Sequence, residues 1–266
     1  MTGSLAGRHA VLTAAGSGLG RAAALRFAAE GARVVVSDLD EQRAAVVAEE
    51  IRATGGQALH RACDASKAVD CTALMDAAEA WFGAPVDLFL ANAGAGFGTD
   101  FLEATETQIR RTVDLNLIGS ALSAQAALRS MVRAEGGCLL FTASLQSVLS
   151  RPQRSMYTAT KHALVGLVKG LAQEFGPRGI RVNAVAPAST DTAFLRTQLE
   201  GLTDDVDAAV LRTASGMPLG HLPSPEDFAA TAAFLAGSGA RSITGQVIVV
   251  DCGASAGPFT HPKFAR

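Results

Sequence analysis

Seven short apolar runs alternate with longer alanine-rich stretches, and that alternation leaves the chain few folds to choose from. The runs are HAVLTA (9–14), RVVVSD (33–38), QALHRACD (57–64), VDLFLAN (86–92), CLLFTAS (138–144), IRVNAVAP (180–187) and QVIVVD (246–251). Several are apolar almost without a break, the mark of strands covered on both faces of a parallel sheet. Between them the spacing predicts helices over 19–30, with Gly31 closing the first, and over 40–53, 66–82, 105–134, 154–175 and 225–236. Thr105 with Gln108 reads as a capping box, and Ser224-Pro225-Glu226-Asp227 as a capping serine, a first-turn proline and acids at the positive helix end. Strand–helix alternation of this kind requires right-handed crossovers. The expectation is an α/β, doubly wound, seven-stranded parallel sheet with helices on both faces, as one domain over 1–266.

Composition narrows the class of partner. A hydrophobic content of 48% and a charged content of 18% suit a globule with a large core. A net charge of −2 offers no footprint for nucleic acid or for an anionic membrane surface. No uncharged run reaches the 18 or so apolar residues that a membrane span needs. Arg8 and His9 before AVLTAAG faintly resemble a signal peptide, but a glycine loop follows at once, so a cytoplasmic protein is expected. Cys63, Cys71, Cys138 and Cys252 are widely spaced, which suggests reduced thiols, and no metal-ligand spacing is present.

Ligands of such a sheet bind beyond the carboxyl ends of the strands. After the first run comes TAAGSGLG, whose Gly16, Ser17, Gly18, Leu19 and Gly20 form a turn into a helix. Glycines there let backbone N–H groups approach a pyrophosphate. The second run ends at Asp38, eighteen residues past Gly20, where a carboxylate meets the ribose diol of an adenosine and repels a 2′-phosphate. Ser17 is neutral and Leu39 apolar, with no adjacent base to receive that phosphate. The cofactor expected is therefore NAD, with NADP disfavoured.

Tyr157 is the only tyrosine of the chain, and Lys161 stands four positions on. Residues four apart share a helix face, so phenol and ammonium can meet in one cleft. Ser144 ends the fifth run thirteen positions earlier. A free phenol titrates near about 10, and lowering it by about three units takes roughly 4 kcal/mol. One ammonium at about 4 Å, in an effective dielectric of about 20, supplies that amount.

Together these segments resemble the short-chain dehydrogenase/reductase family in its common form, from about residue 5 to 253. TAAGSGLG is similar to its T-G-x-x-x-G-x-G; ANAG (91–94) to N-N-A-G; Ser144, Tyr157 and Lys161 to S-x12-Y-x3-K; APAST, with Thr192 beyond, to P-G-x-x-x-T; and ITGQVIVVDCG to its last strand. The resemblance implies that Tyr157 is the general acid/base and that Ser144 binds the substrate oxygen. Lys161 would lower the Tyr157 pKa and bind the nicotinamide ribose, and Asn116 would hold a relay water. It implies that Asp64 touches the adenine, although that carboxylate can equally cap the next helix. It also places Asn92, Ala93 and Gly94 along the adenosine and Pro187, Thr190 and Thr192 near the nicotinamide. Three small residues depart from the pattern: Ala14, Ala91 and Ala188.

The implied reaction is NAD-dependent hydride transfer between a secondary alcohol or ketone and the nicotinamide. The alternatives are a 3-oxoacyl-type ketoreductase using NADPH, or a nucleotide-binding protein of this fold without catalysis. Residues 189–223 would form a substrate lid, and Gly96, Phe97, Gln146 and Leu149 would surround the reacting carbon. Arg151 and Arg154 can attract an anionic substrate or simply be solvated. The family also implies a homotetramer, through the helices at 105–134 and 154–175 and the last strand. The tail at 254–266 can fold over a neighbour's active site or hang free.

Overall fold

The structure is a computed structural model that describes residues 3–96, 100–200 and 203–264, without the side chains of residues 193, 194, 197, 198 and 264. All seven expected strands form: β1 (His9–Leu12), β2 (Arg33–Asp38), β3 (Gln57–Ala62), β4 (Leu88–Ala91), β5 (Gly137–Thr142), β6 (Ile180–Pro187) and β7 (Val247–Val250). Every pairing is parallel, in the order β3-β2-β1-β4-β5-β6-β7, so the chain reverses direction across the sheet between β1 and β4. The helices are α1 (Gly18–Ala29), α2 (Glu41–Ala53), α3 (Ala68–Phe82), α4 (Glu106–Val113), α5 (Gly119–Arg133), α6 (Ser155–Phe175), α7 (Ala193–Glu200), α8 (Val206–Ser215) and α9 (Pro225–Ala236). None among the described residues is long and apolar enough to cross a membrane.

Side-chain alternation along the strands divides the core in two. Ala10 and Leu12, Val34 and Val36, Leu88 and Leu90, with Cys138 and Leu140, face α1, α2 and α9, where Phe27, Ile51 and Phe228 are buried. Their neighbours Val11, Val35, Phe89, Leu139 and Phe141 face α3, α5 and α6, with Leu74, Met131, Leu164 and Val168. Both faces being dry explains why these strands read as continuous apolar runs.

Several boundaries differ from expectation for identifiable reasons. The helix expected over 105–134 is interrupted by a π turn at Asp114–Ile118, which leaves its two halves as α4 and α5. The Asn116 side chain causes the break: its amide reaches out of the helix to the Ala95 backbone, and an inserted residue aims it there. β5 stops at Thr142, so Ser144 lies beyond the strand and caps the single turn Leu145–Ser147. β3 stops at Ala62, and Asp64 lies two residues past it. The expected capping box forms at Thr105 with Gln108, and Ser224 caps α9 as expected, with Asp227 completing a second box. Gly31 follows the C-cap Glu30, at φ +94°. Residues 189–223, expected to form a lid, carry α7 and α8, and Arg196 joins them by pairing with Asp191 at 2.8 Å and Asp207 at 3.0 Å. Within the described part of the tail, the His261 N–H donates to Ser215 O at 2.9 Å, which holds it against the end of α8 in its own chain.

Ala14 occupies the left-handed region at φ +48°, in the place where the related motif has glycine. A Cβ in that region is strained by about 1–2 kcal/mol, while glycine gives back part of the gain through its freer unfolded chain. Ala14→Gly should therefore raise stability by up to about 1 kcal/mol, seen as a higher urea midpoint with an unchanged slope.

Candidate active site

The ends of β1, β4 and β5 are stitched together at the point where the chain reverses. Asn92, just past β4, donates from Nδ2 to Ala14 O at 2.8 Å and accepts from Thr142 Oγ1 at 2.8 Å. Its own N–H donates to the buried Thr13 Oγ1 at 3.0 Å. In the sequence Thr13 stands only as part of HAVLTA and TAAGSGLG, and Thr142 only as part of CLLFTAS. Ala91 ends β4 in full burial, and Ala93 donates its N–H to Thr13 Oγ1 at 3.3 Å.

The glycine loop is shaped by close approach. A Cβ on Gly20 would lie 2.4 Å from Ala14 O and 2.6 Å from Asn92 Nδ2, and one on Gly16 would lie 2.9 Å from Asp38 Oδ2. Gly18 has φ +53°, and Leu19 packs on the core below. α1 begins without a side-chain cap on Ser17 and without an acid in its first turn. Its first N–H groups are thus left for an anion, whereas Asp40, Thr105 and Ser224 cap their helices. This cradle fits the pyrophosphate of a dinucleotide.

Asp38 ends β2 with Oδ2 accepting the Gly16 N–H at 3.0 Å and Oδ1 accepting the Asp40 N–H at 3.1 Å. The expectation that no base stands nearby is corrected. The first turn of α2 brings Arg43 beside the loop, its Cβ 2.6 Å from where a Gly16 Cβ would be, with its guanidinium paired to Asp40 at 3.2 Å. Asp64 is turned toward its own chain: Oδ1 accepts from Ser66 Oγ at 2.6 Å and Oδ2 faces Lys67 Nζ at 3.2 Å. Those partners hold its carboxyl below the usual range, Ser66 first.

Ser144, Tyr157 and Lys161 converge beyond β5. Ser144 Oγ accepts the Gln146 N–H at 3.1 Å and is hydrogen-bonded to the Tyr157 hydroxyl. The Gln146 side chain is itself held, Oε1 accepting from Thr158 Oγ1 at 2.9 Å. Lys161 is 3% exposed; its Nζ donates to Thr142 O at 2.8 Å and lies 5.6 Å from the centre of the Tyr157 ring. In the chain alone, burial pushes the Tyr157 phenol up, and the Ser144 bond and the Arg154 charge offset only part of that rise. Burial likewise brings Lys161 down to about 8. The Lys161 ammonium thus stands one helical turn from Tyr157 in a site that solvates it poorly.

Asn116 is fully buried, and its amide joins a second loop to the site: Oδ1 accepts from the Ala95 N–H at 3.0 Å, and Nδ2 donates to Ala95 O at 2.9 Å and Thr112 O at 3.0 Å. Gly94 runs between it and Lys161, where a Cβ would lie 2.8 Å from Asn116 Oδ1 and 3.4 Å from Lys161 Nζ. Pro187 ends β6; Ala188 is buried and its N–H donates to Val250 O. Thr190 Oγ1 donates to Ala188 O at 3.1 Å, and Thr192 Oγ1 accepts the Leu195 N–H at the start of α7. Gly96 and Leu149 lie on the loops beside the site, Leu149 being 42% exposed. Phe97 lies outside the described residues. No group of His, Cys, Asp and Glu suited to a metal occurs among the described residues.

A parallel sheet with an uncapped glycine turn after β1, and a half-buried Ser144 and Tyr157 beside a buried Lys161 beyond β5, fits a nucleotide-dependent oxidoreductase of the doubly wound class. A family model described as enoyl-(acyl carrier protein) reductase matches residues 13–255. The chain is 36% identical over 253 residues to momilactone A synthase of Oryza sativa subsp. japonica, covering 94% of this chain and 91% of the relative. It is 36% identical over 254 residues to cis-4-hydroxycyclohexanecarboxylate dehydrogenase of Sinomonas cyclohexanicum, covering 95% and 98%. The solved structure of 7α-hydroxysteroid dehydrogenase complexed with NADH and 7-oxoglycochenodeoxycholic acid superposes with a TM-score of 0.85 at 32% identity, over 94% of each chain. The chain belongs to the short-chain dehydrogenase/reductase family.

The Lys161 shift makes the site a stability cost. Between about pH 8 and 10.5 the unfolded chain binds more protons than the folded one, so stability rises with pH through that window and the full cost, about 3 kcal/mol, is present below it. Lys161→Met should match or exceed the parent in urea midpoint at pH 7, and that advantage should shrink as pH rises from 8 toward 10.5. A deficit that does not change with pH would contradict the assignment.

Proposed function

We propose that the chain oxidises a secondary alcohol to a ketone with NAD, and runs the reverse reduction with NADH. The observation that carries this reading is the Ser144–Tyr157 hydrogen bond with Lys161 buried one helical turn away, at the carboxyl edge of the sheet. Ser144, whose Oγ accepts the Gln146 N–H, would turn its hydroxyl proton from Tyr157 to the substrate oxygen when substrate binds. Tyr157 then removes the hydroxyl proton as the carbinol hydride leaves. Bound nicotinamide supplies the hydride acceptor and a positive charge. That charge, added to Lys161, offsets the burial that raises the phenol in the chain alone. Lys161 would hold the nicotinamide ribose, Gly16 to Gly20 the pyrophosphate, and Pro187, Thr190 and Thr192 the carboxamide side. Asn116 acts as a positioning residue, holding the 92–95 loop against Lys161, with its π-turn backbone available to a relay water.

Asp38 supports NAD, since a carboxylate ending β2 beside the glycine loop would accept the adenosine ribose hydroxyls and repel a 2′-phosphate. One observation favours the second reading, an NADPH-dependent ketoreductase: Arg43 stands beside that position, although Asp40 engages it. Two of the relatives above are named for ring substrates, a hydroxycyclohexanecarboxylate and a hydroxysteroid, and this supports a cyclic secondary alcohol. A homotetramer is proposed as well. Between α5 and α6 an outer groove of about 610 Å³, lined by Ala121, Ala124, Leu128, Leu167, Leu171 and Phe175, suits a second copy of the same helix pair.

Turnover of a cyclic alcohol panel, followed at 340 nm, should give a kcat/KM at least tenfold higher with NAD than with NADP; the opposite order would remove the Asp38 argument and favour the ketoreductase. Tyr157→Phe should lose at least a hundredfold in kcat while its NADH dissociation constant stays within about threefold of the parent's.

A further inference from the structure

A cleft of about 600 Å³ opens between the loop that follows Ser144, the lid helices and the folded-back tail. Arg151 enters it from the loop, Arg212 and Thr213 from α8, Thr203 from the α7–α8 connection and Thr260 from the tail. Phe259, 42% exposed, adds an apolar wall opposite Leu199. No carboxylate lines it among the described residues. Neither Arg151 nor Arg212 has a guanidinium partner among the described residues. Three acids of the same segment are engaged elsewhere: Asp191 and Asp207 pair with Arg196, and Asp205 accepts the Ala208 N–H at 2.9 Å. Two cations thus face one space that neutralises neither.

We propose that this cleft binds a terminal oxyanion of the substrate, carboxylate or phosphate, through Arg151 and Arg212. The proposal rests on the secondary-alcohol reading above and names a substrate class for that site. Guanidiniums present paired donors that match two oxygens of one oxyanion, and the threonine hydroxyls add neutral donors around them. An oxyanion between two unpaired cations also relieves their mutual repulsion. The volume suits a small molecule. The position follows from the chain. Arg151 lies seven residues past Ser144 and six before Tyr157, while α7 begins directly after Thr192. A substrate whose carbinol meets Tyr157 would therefore extend its other end toward this cleft, with its ring against Phe259 and Leu199.

Two measurements separate this proposal from the reading it rests on. In calorimetric titration with NADH present, cyclohexanecarboxylate and cyclohexyl phosphate should each bind at least tenfold more tightly than methyl cyclohexanecarboxylate. Whichever oxyanion binds more tightly identifies its source. Arg151→Met and Arg212→Met, each with an unchanged melting temperature, should each weaken the anions at least tenfold, and Arg151→Lys should restore part of the loss. Equal binding of ester and anion, or unchanged anion affinity in both methionine variants, overturns the proposal. In the kinetic arm, secondary alcohols are offered as free acid, methyl ester and phosphate ester. The acid-to-ester ratio of kcat/KM should exceed ten in the parent and fall toward one in both variants; a ratio near one in the parent also overturns it. If no member of the panel is oxidised with either nucleotide, the oxidoreductase assignment of the site fails, while the titration still decides the cleft.

Discussion

Because all seven strands point the same way, their carboxyl ends must crowd one edge of the sheet, and every polar group there needs a partner. Asn92 solves most of that problem at the reversal point, with one side chain bonded to the loop after β1 and to the end of β5. Thr13 takes two backbone N–H groups from the loop that follows β4. This stitching fixes the glycine turn on one side and the Thr142 carbonyl on the other. Through that carbonyl it also fixes Lys161. The two halves of the site, cofactor cradle and proton-transfer set, are therefore a single hydrogen-bonded unit.

That unit is built against the grain of stability. A lysine at 3% exposure with one carbonyl partner and an alanine held at positive φ both cost free energy in the chain alone. The surrounding core allows it. Phe89, Leu139 and Phe141 are fully buried on the face beneath α5 and α6, and the uninterrupted parallel ladder leaves the strand ends little freedom to relax. Strain of this kind stands where charge must be gained and lost, while the capped ends of α2, α4 and α9 lie on the stabilising side.

The sequence made the sheet legible because strands dry on both faces have no period to misread, and only their lengths came out long, as at Ser144 and Asp64. Ser144, Tyr157 and Lys161 were legible for a different reason: fixed offsets on one turn and one helix carry geometry directly. What escaped was set by space rather than by spacing. Arg43 reaches the glycine loop only because α2 turns back along β2. Lys161 is held by the Thr142 carbonyl, a backbone partner that no motif announces. α7 and α8 were hidden within a segment whose apolar residues serve lid packing as readily as a pocket, and the tail's attachment at Ser215 is one backbone hydrogen bond that no side chain announces.

The π turn at Asp114–Ile118 has a reach beyond Asn116. One inserted residue advances everything after it by about 100° around the helix axis. The phase of α5 relative to α4 is therefore dictated by the inner site, although the outward stripe of α5, at Ala121, Ala124 and Leu128, forms one wall of the groove shared with α6. Catalytic geometry and outer surface are geared to the same shaft: straightening the helix would withdraw the amide from Ala95 and, in the same motion, swing that stripe away from its groove.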